Sequence, residues 1–287
     1  MQRSSRKSGS TRARSKKTGR LNVIKLVKYA FLALLLSFVI GVAYNYRHAV
    51  LYWLGYKTDK RIELLTKEER QIENLRIYKI VARHKDKIFG LDISHYQGKI
   101  TWDSVQHGSQ AFPVHFVFVR ATAGKDATDK EFSTNWKEAK KRGFICGAYH
   151  YYRPDENSLE QANLFINAAK LGKGDLPPVL DIEQIPAGQS IDSLKAGLRR
   201  WLYKVEEHYG VKPIIYSGES FYSDFLKEEF ADYTFWIANY SFFSDEIQQE
   251  WKFWQFTDKA NINGVDGNVD LNIYNGNFSE LQSLTIP

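Results

Sequence analysis

The chain has 287 residues, of which 43% are apolar and 15% aromatic. This is long enough for one large domain, since a single α/β barrel needs about 250 residues. The net charge is +7, but ten of the 40 Lys and Arg residues lie in residues 1–28, which contain no acid, so the rest carries 30 basic against 33 acidic residues. A nucleic-acid-binding protein would spread its basic side chains over the folded part, with aromatic residues between them. That pattern is absent, which argues against a nucleic-acid partner.

A basic tail, residues 1–25, precedes the apolar segment LVKYAFLALLLSFVIGVAYNY, residues 26–46, whose only charge is Lys28. As a helix, a segment of this length can span roughly 30 Å of hydrocarbon. Tyrosines near both ends, with positive charge ahead of the segment, are typical of an anchor whose N-terminus is cytoplasmic. A cleaved signal peptide and a buried core helix are the alternatives, but no small-x-small cleavage site follows and no polar face is present. The sequence predicts a single-pass membrane protein whose remaining part is periplasmic or extracellular.

Residues 47–87 are charged and short of glycine and proline, which is typical of a helical juxtamembrane linker. Thr66 and Glu69 have the spacing of a capping box at a helix start. Apolar residues recur three apart and predict one helical stripe: Ile72, Leu75, Tyr78 and Val81. We interpret the segment as a spacer helix, and a dimerising segment is the alternative.

From Phe89 onward, short β-rich runs alternate with amphipathic segments. The eight predicted strands are FGLDIS, HFVFVRAT, FICGAYHYY, PPVLDIE, KPIIYS, TFWIANY, KFWQFT and VDLNIY. Eight strands with several crossover helices predict a TIM-like α/β barrel over residues 88–287, irregular because the last three strands have little helix between them. An open doubly wound sheet is the main competitor, but no glycine-rich phosphate loop follows the first strand.

Acidic residues stand at the ends of three predicted strands, where an α/β barrel places its active site. Asp92 ends the first strand, Asp181 and Glu183 end VLDIE, and Asp270 opens the last strand. Residues two apart in a strand point to the same side, so Asp181 and Glu183 share a face. When two carboxyl groups lie close together in a partly dry cavity, the pKa of one of them rises, so that this group keeps its proton near neutral pH. Protonation of a glycosidic oxygen requires a carboxylic acid of this kind. A solvated strand end is the alternative for any one of these acids.

Other catalytic chemistries have little support in the sequence. Three histidines lie in or beside strands without metal-ligand spacing: His95, His115 and His150. No GxSxG nucleophile elbow is present. The single cysteine, Cys146, can form no intrachain disulfide and falls in mid-strand, which indicates a core residue. We expect neither a metal nor a cofactor.

Taken in order, several motifs resemble the glycoside hydrolase family 25 lysozymes: GLDISHYQGKITWDSV, FVFVRATAGKDATDKEF, CGAYHYYRP, LPPVLDIE, KPIIYSG, FWIANY and WQFTDKANINGVDGNVDLNIYNG. The resemblance runs from Phe89 to about Asn275. It implies a flattened, irregular β/α barrel and N-acetylmuramidase activity. Such an enzyme cuts the β-1,4 bond between N-acetylmuramic acid and N-acetylglucosamine in peptidoglycan.

Carried over by position, the resemblance implies that Glu183 is the catalytic acid and Asp181 its partner, with Asp92 and Asp270 as the other acids of the pocket. It also implies that Tyr149, Trp236 and Tyr240 bind substrate. We add the basic residue Arg120 and the aromatic residue Tyr216 to this substrate-binding set. For each aromatic residue of this set, core filling is the alternative to sugar contact.

This sequence departs from the family pattern at two positions. Ala123 replaces an acid in RATAG, where Arg120 stands for the usual lysine, and this puts the charge balance of the pocket in question. Tyr96 replaces a tryptophan, which changes a stacking surface.

We expect Glu183 to protonate the leaving oxygen, whereas the second catalytic role stays open. Asp181 could orient the 2-acetamido group for a substrate-assisted route, or an aspartate could activate water directly. A family 18-like chitinase also uses a DxE strand end, although it carries a further aspartate where this chain has Pro177, Pro178 and Val179. A catalytically silent, membrane-tethered glycan-binding module is the alternative outside the enzymes.

Overall fold

The computed structural model describes residues 18–45, 67–106, 113–241 and 243–287. The chain divides into two compact units, residues 1–61 and 62–287. Helix α1 (Thr18–Asn45) belongs to the first unit. Among the described residues, no helix is both long and apolar enough to cross a membrane. The anchor over residues 26–46 stays a prediction, as do the predicted domain boundaries.

Some sequence predictions fall on residues that the structure does not describe. They are most of the basic tail (residues 1–17), Tyr46 at the end of the predicted anchor, and the first part of the linker, residues 47–66 with Thr66 of the capping box. These predictions lie outside the described residues.

Among the described residues of the second unit, nine strands form one sheet. They are β1 (Ile88–Ile93), β2 (Val114–Ala123), β3 (Ala127–Thr128), β4 (Ile145–Tyr151), β5 (Val179–Asp181), β6 (Ile214–Gly218), β7 (Thr234–Ala238), β8 (Phe253–Ala260) and β9 (Val269–Tyr274). The order is β1-β9-β8-β7-β6-β5-β4-β2-β3, and β1 also pairs with β2. Eight strands therefore close into a barrel, and β3 is a short arm on β2. All eight predicted strands are confirmed, and the barrel is the predicted fold class.

The barrel is irregular at β9, which runs antiparallel to both of its neighbours, whereas the other pairs of the ring are parallel. Eight residues, 261–268, connect β8 to β9. A parallel crossover needs about a dozen residues or more, so this connection only allows the chain to turn back. The N-terminal end of β9 consequently lies at the same end of the barrel as the C-terminal ends of the parallel strands.

The α-helices in the described part of the second unit are α2 (Lys67–Arg83), α3 (Trp102–Gln106), α4 (Phe132–Lys141), α5 (Ser158–Ala168), α6 (Ile191–Tyr209), α7 (Glu219–Phe221, continued by a π-turn to Leu226) and α8 (Phe278–Ser283). Helices α4, α5 and α6 lie where the sequence predicts amphipathic segments between strands. In α6 the hydroxyl of Ser190 accepts from the backbone N–H of Ser193 at the start, and Gly210 ends the helix with φ of 71°. Both caps satisfy backbone groups that a helix end leaves unpaired.

Aromatic rings fill the inside of the barrel. Phe118 stacks on Trp236 with ring centroids 4.5 Å apart, and Phe116 and Phe253 pack beside it. A Cβ on Gly90 would overlap the Phe116 ring. The absence of a side chain in β1 at this point is what admits the ring.

Helix α2 packs onto the barrel, in the same compact unit, through a face different from the predicted one. Its buried residues are Arg76, Ile80 and Val81. Three of the four residues of the predicted stripe are exposed: Ile72 (52%), Leu75 (69%) and Tyr78 (67%). The stripe prediction is therefore wrong except at Val81, because hydropathy alone could not anticipate a buried arginine. The predicted spacer helix contacts β8 of the barrel.

Candidate active site

Two of the predicted catalytic acids face each other across neighbouring strands. Asp92 of β1 is the direct cross-strand partner of Asp270 of β9. Directly opposite residues of an antiparallel pair project to the same side, with Cβ atoms about 4.5–5.5 Å apart. The reversed direction of β9 is what brings Asp270 to this end of the barrel, although it opens its strand.

The other two acids lie at the C-terminal end of β5. Asp181 is the last residue of β5 and is buried, with 4% exposed, and Glu183 follows two residues later and is half-buried. Ile182 between them is fully buried, and its carbonyl accepts from the hydroxyl of Ser217 at 2.6 Å. The backbone is thus fixed between the two acids.

Three tyrosines lie among the four acids: Tyr149, Tyr216 and Tyr240. Burial raises the pKa of each phenol well above its usual value, and the negative charges of nearby acids raise it further. Each of the four acids acts in this way on at least two of the three tyrosines. The structure therefore brings these seven predicted residues into one site, in which the phenols keep their protons and can donate hydrogen bonds.

Two amide side chains that the sequence analysis missed hold Asp92. Gln255 Nε2 and Asn272 Nδ2 each donate to Asp92 Oδ2 at 2.7 Å. An amide N–H can only donate, so this oxygen acts as an acceptor for both. Gln255 is 2% exposed, Asn272 is fully buried and Asp92 is 5% exposed, so the arrangement is sheltered from water.

The oxygens of the same amides receive hydrogen bonds from aromatic residues. Gln255 Oε1 accepts from the hydroxyl of Tyr216 at 2.7 Å and from that of Tyr240. Asn272 Oδ1 accepts from Trp236 Nε1 at 2.8 Å. These bonds fix the orientation of both amides and therefore of their donors to Asp92. A polar residue in an apolar strand, as in FWQF, is the signal that could have found Gln255.

Trp236 and Tyr240 lie at different depths, although both are predicted substrate-binding residues. Trp236 is 2% exposed and packs against Phe118 and Tyr216, so it lies beneath the site rather than along an open groove. Tyr240 is 43% exposed, and its hydroxyl points inward to Gln255. Its ring is thus the accessible one of the two.

Arg120 forms an ion pair in the structure that the sequence analysis did not include. Its Nε lies 3.0 Å from Asp129 Oδ2, and its guanidinium lies 4.9 Å from the centre of the Tyr96 ring. Burial opposes ionisation of Asp129, but hydrogen bonds from the backbone and ring of His95, together with the charge of Arg120, hold its pKa below the usual value. Asp129 therefore balances the charge of Arg120, which answers the question that Ala123 raised.

His150 and Cys146, two further residues considered from the sequence, are buried. Within the described ranges, no group of three or more His, Cys, Asp or Glu side chains could hold a metal ion. His150 is fully buried, with Thr122 Oγ1 at 2.7 Å from Nδ1 and Gln161 Oε1 at 3.0 Å from Nε2. Cys146 is 1% exposed, and burial raises the pKa of its thiol to about 12. The interpretation of Cys146 as a core residue is confirmed.

An α/β barrel whose mouth gathers four carboxyl groups among tyrosines has the make-up of a glycoside hydrolase. Residues 91–265 match the family described as Glycosyl hydrolases family 25. The chain belongs to this family and is a glycoside hydrolase. Helix α2 lies outside the matched residues.

Curated relatives and solved structures agree with this assignment. Lysozyme M1 of Streptomyces globisporus is 31% identical over 210 residues, which cover 68% of this chain and 72% of that protein. The uncharacterized protein YegX of Escherichia coli K12 is 37% identical over 198 residues, covering 68% of this chain and 72% of YegX. A family 25 glycosyl hydrolase structure from Bacillus anthracis has a TM-score of 0.63 and 30% identity, covering 70% of this chain and 94% of that one.

Proposed function

We propose that this protein is a muramidase that hydrolyses the β-1,4 bond between N-acetylmuramic acid and N-acetylglucosamine in peptidoglycan. Its family membership and its similarity to lysozymes support this activity. The observation that carries the proposal is the gathering of Asp92, Asp181, Glu183 and Asp270 around three tyrosines at one end of the barrel. No cofactor takes part in the proposed reaction.

Glu183 is the proposed proton donor to the leaving oxygen. It is half-buried at the mouth, and it follows the buried Asp181 on a backbone fixed by Ser217. Asp181 then orients the 2-acetamido group of the sugar for attack by its carbonyl, or an aspartate activates water directly. Asp92 and Asp270 hold the sugar or stabilise positive charge that develops at the anomeric carbon.

The substitution Glu183→Gln tests the proton donor, because glutamine keeps the shape and cannot give up a proton. Loss of general acid catalysis lowers the rate by at least about a hundredfold. The measurement is mass spectrometry of soluble muropeptides released from purified sacculi. Glu207→Gln on the outside of α6, where the side chain is 59% exposed, is the matched control and retains wild-type release. Digestion at the wild-type rate by Glu183→Gln would refute the assignment.

Two alternatives predict different products from the same assay. A family 18-like chitinase releases oligosaccharides from chitin, whereas a muramidase acts on sacculi. A catalytically silent module binds sacculi in a pull-down and releases nothing. Parallel incubations with chitin and sacculi separate the three possibilities.

We further propose that the enzyme is held in the cytoplasmic membrane by residues 26–46, with residues 1–25 cytoplasmic and the barrel periplasmic or extracellular. The apolar composition of the segment and the ten basic residues among the first 28 support this orientation. Protease added to spheroplasts should digest the barrel and leave the tail intact. Recovery of the full-length protein from the soluble fraction after cell breakage would contradict the anchor.

A further inference from the structure

The buried arginine of α2 is bonded to two separate parts of the barrel. Arg76 is 6% exposed, and its Nη1 donates to the carbonyl of Phe256 at 2.7 Å. Its Nη2 donates to the carbonyl of Ser241 at 3.3 Å. Burial of a charged side chain costs free energy unless hydrogen bonds compensate it, so a helix that served only to cover the barrel would present an apolar residue here.

Both carbonyls belong to residues that directly follow pocket residues in the chain. Ser241 follows Tyr240, and Phe256 follows Gln255. Tyr240 donates to Gln255, and Gln255 donates to Asp92 at 2.7 Å. Arg76 is therefore one residue away, along the backbone, from Gln255, which holds a predicted catalytic acid, and from Tyr240, which orients Gln255.

A second residue of α2 completes the connection to β8. Glu73 Oε1 accepts from the hydroxyl of Thr257 at 2.6 Å and lies 3.3 Å from Arg76 Nη1. Thr257 is 1% exposed. Glu73 thus balances the charge of Arg76 and also holds the strand that carries Gln255.

The last turn of α2 holds the connection that leads from β7 to β8. Asp245 Oδ2 lies 2.7 Å from Lys79 Nζ and 2.8 Å from Arg83 Nη1. His84 Nε2 lies 2.9 Å from the carbonyl oxygen of Asp245. Among the described residues of this connection no helix occurs, so its conformation depends on such contacts from outside.

We propose that α2 is a positioning element of the active site and that Arg76 is its positioning residue, which fixes Tyr240 and Gln255 through the backbone next to each. The consequence for catalysis rests on the proposed function. A guanidinium reaches two carbonyls at once with its planar array of donors, whereas an ammonium is a single point charge. The lysine variant therefore keeps part of the effect.

The first experiment measures the pocket without using activity. Hydrogen–deuterium exchange of the full-length protein in detergent compares wild type, Arg76→Ala and Arg76→Lys. The backbone N–H of Asn239 donates to the carbonyl of Gln255 at 3.1 Å, so its exchange reports on the pocket wall. Arg76→Ala should accelerate exchange around residues 239–241 and 255–257 and leave β4 and β5 unchanged, with an intermediate result for Arg76→Lys. Unchanged exchange at these two segments would overturn the proposal.

The second experiment measures turnover of sacculi, with Ile80→Ala as the control for lost packing. Ile80 is fully buried on the same helix, but it makes no bond to either carbonyl. At a temperature where every variant is folded, Arg76→Ala should lose roughly tenfold to a hundredfold in kcat/KM, the range for removing hydrogen bonds of a charged group. Ile80→Ala should retain kcat. Equal losses of kcat/KM in Arg76→Ala and Ile80→Ala would overturn the role of Arg76 in positioning.

A double-mutant cycle identifies the route of the effect. If Arg76 acts through Tyr240, the Arg76→Ala change costs less in a Tyr240→Phe background than in wild type, because the shared interaction is already lost. Additive losses contradict this route. Inactivity of the wild type on sacculi would sink the proposed function, and the exchange measurement would still decide the positioning.

Discussion

Asp92 and Asp270 are cross-strand partners in a barrel whose other strand pairs, outside β9, are parallel. The pair exists because eight residues between β8 and β9 are too few for a parallel return. An acid at the start of one strand and an acid near the end of another therefore meet at the same edge. The two carboxyl groups come from distant parts of the sequence, and the reversed strand aligns them.

Removal of the Gln255 amide should impair both stability and turnover. Gln255→Leu keeps the volume of the side chain but leaves Asp92 without one donor and two tyrosine hydroxyls without their acceptor. A buried polar group that loses its partner costs about 1–3 kcal/mol. We expect a loss of this size in the free energy of unfolding by denaturant, and a fall in kcat on sacculi. Gln282→Leu, on the exposed face of α8, is the control and should match wild type. Full activity in Gln255→Leu would show that Asp92 does not need this donor.

The substitution Gly90→Ala, which adds one methyl group, should destabilise the barrel. The new Cβ overlaps the Phe116 ring, and overpacking of this kind costs about 1–3 kcal/mol. For a domain of this size, 1 kcal/mol lowers Tm by about 2–4 °C. Gly172→Ala is the matched control, because nothing lies within 4 Å of its added Cβ. Equal Tm values for the two variants would mean that the ring of Phe116 yields without cost.

The buried His150 should make stability depend on pH. Burial lowers its pKa from 6.5 to about 4, so the unfolded chain binds a proton that the folded chain does not. The contribution is present in full above pH 6.5 and is lost as pH falls from 6.5 toward 4. Each pKa unit corresponds to 1.36 kcal/mol, so the loss is about 3 kcal/mol.

Denaturant unfolding at pH 7, 6, 5 and 4.5 measures this dependence. His150→Gln, which keeps a polar side chain without a titrating ring, should flatten the curve in this window. His115→Gln is compared with it, because burial also lowers the pKa of His115, although His115 is less buried than His150. A curve for His150→Gln as steep as that of wild type would assign the pH dependence to other groups.

The strands and the acids of the site were predictable because each follows from the residue pattern of a short segment of the sequence. Each strand is a β-rich run, and each acid stands at one terminus of such a run: Asp181 and Glu183 follow VL, whereas Asp270 opens its strand. Interactions between distant segments left no such pattern. Gln255 and Asn272 meet Asp92 across 163 and 180 residues, and their role depends on the closure of the barrel.

The face of α2 was mispredicted for the same reason. Spacing and hydropathy selected Ile72, Leu75 and Tyr78, whereas the barrel buries the charged Arg76. The two carbonyls that make this burial favourable lie 165 and 180 residues further along the chain. Only the folded chain shows that an arginine can lie on the inner side of this helix.

Cys146 supplies an internal reporter for all of these measurements. It is the only cysteine of the chain, it is 1% exposed, and its raised pKa keeps the thiol protonated and unreactive in the native state. A thiol reagent can therefore label the protein only after β4 opens. The extent of labelling during an assay measures the fraction of molecules that have unfolded. A variant that has lost catalytic activity can therefore be distinguished, in the same sample, from one that has lost its fold.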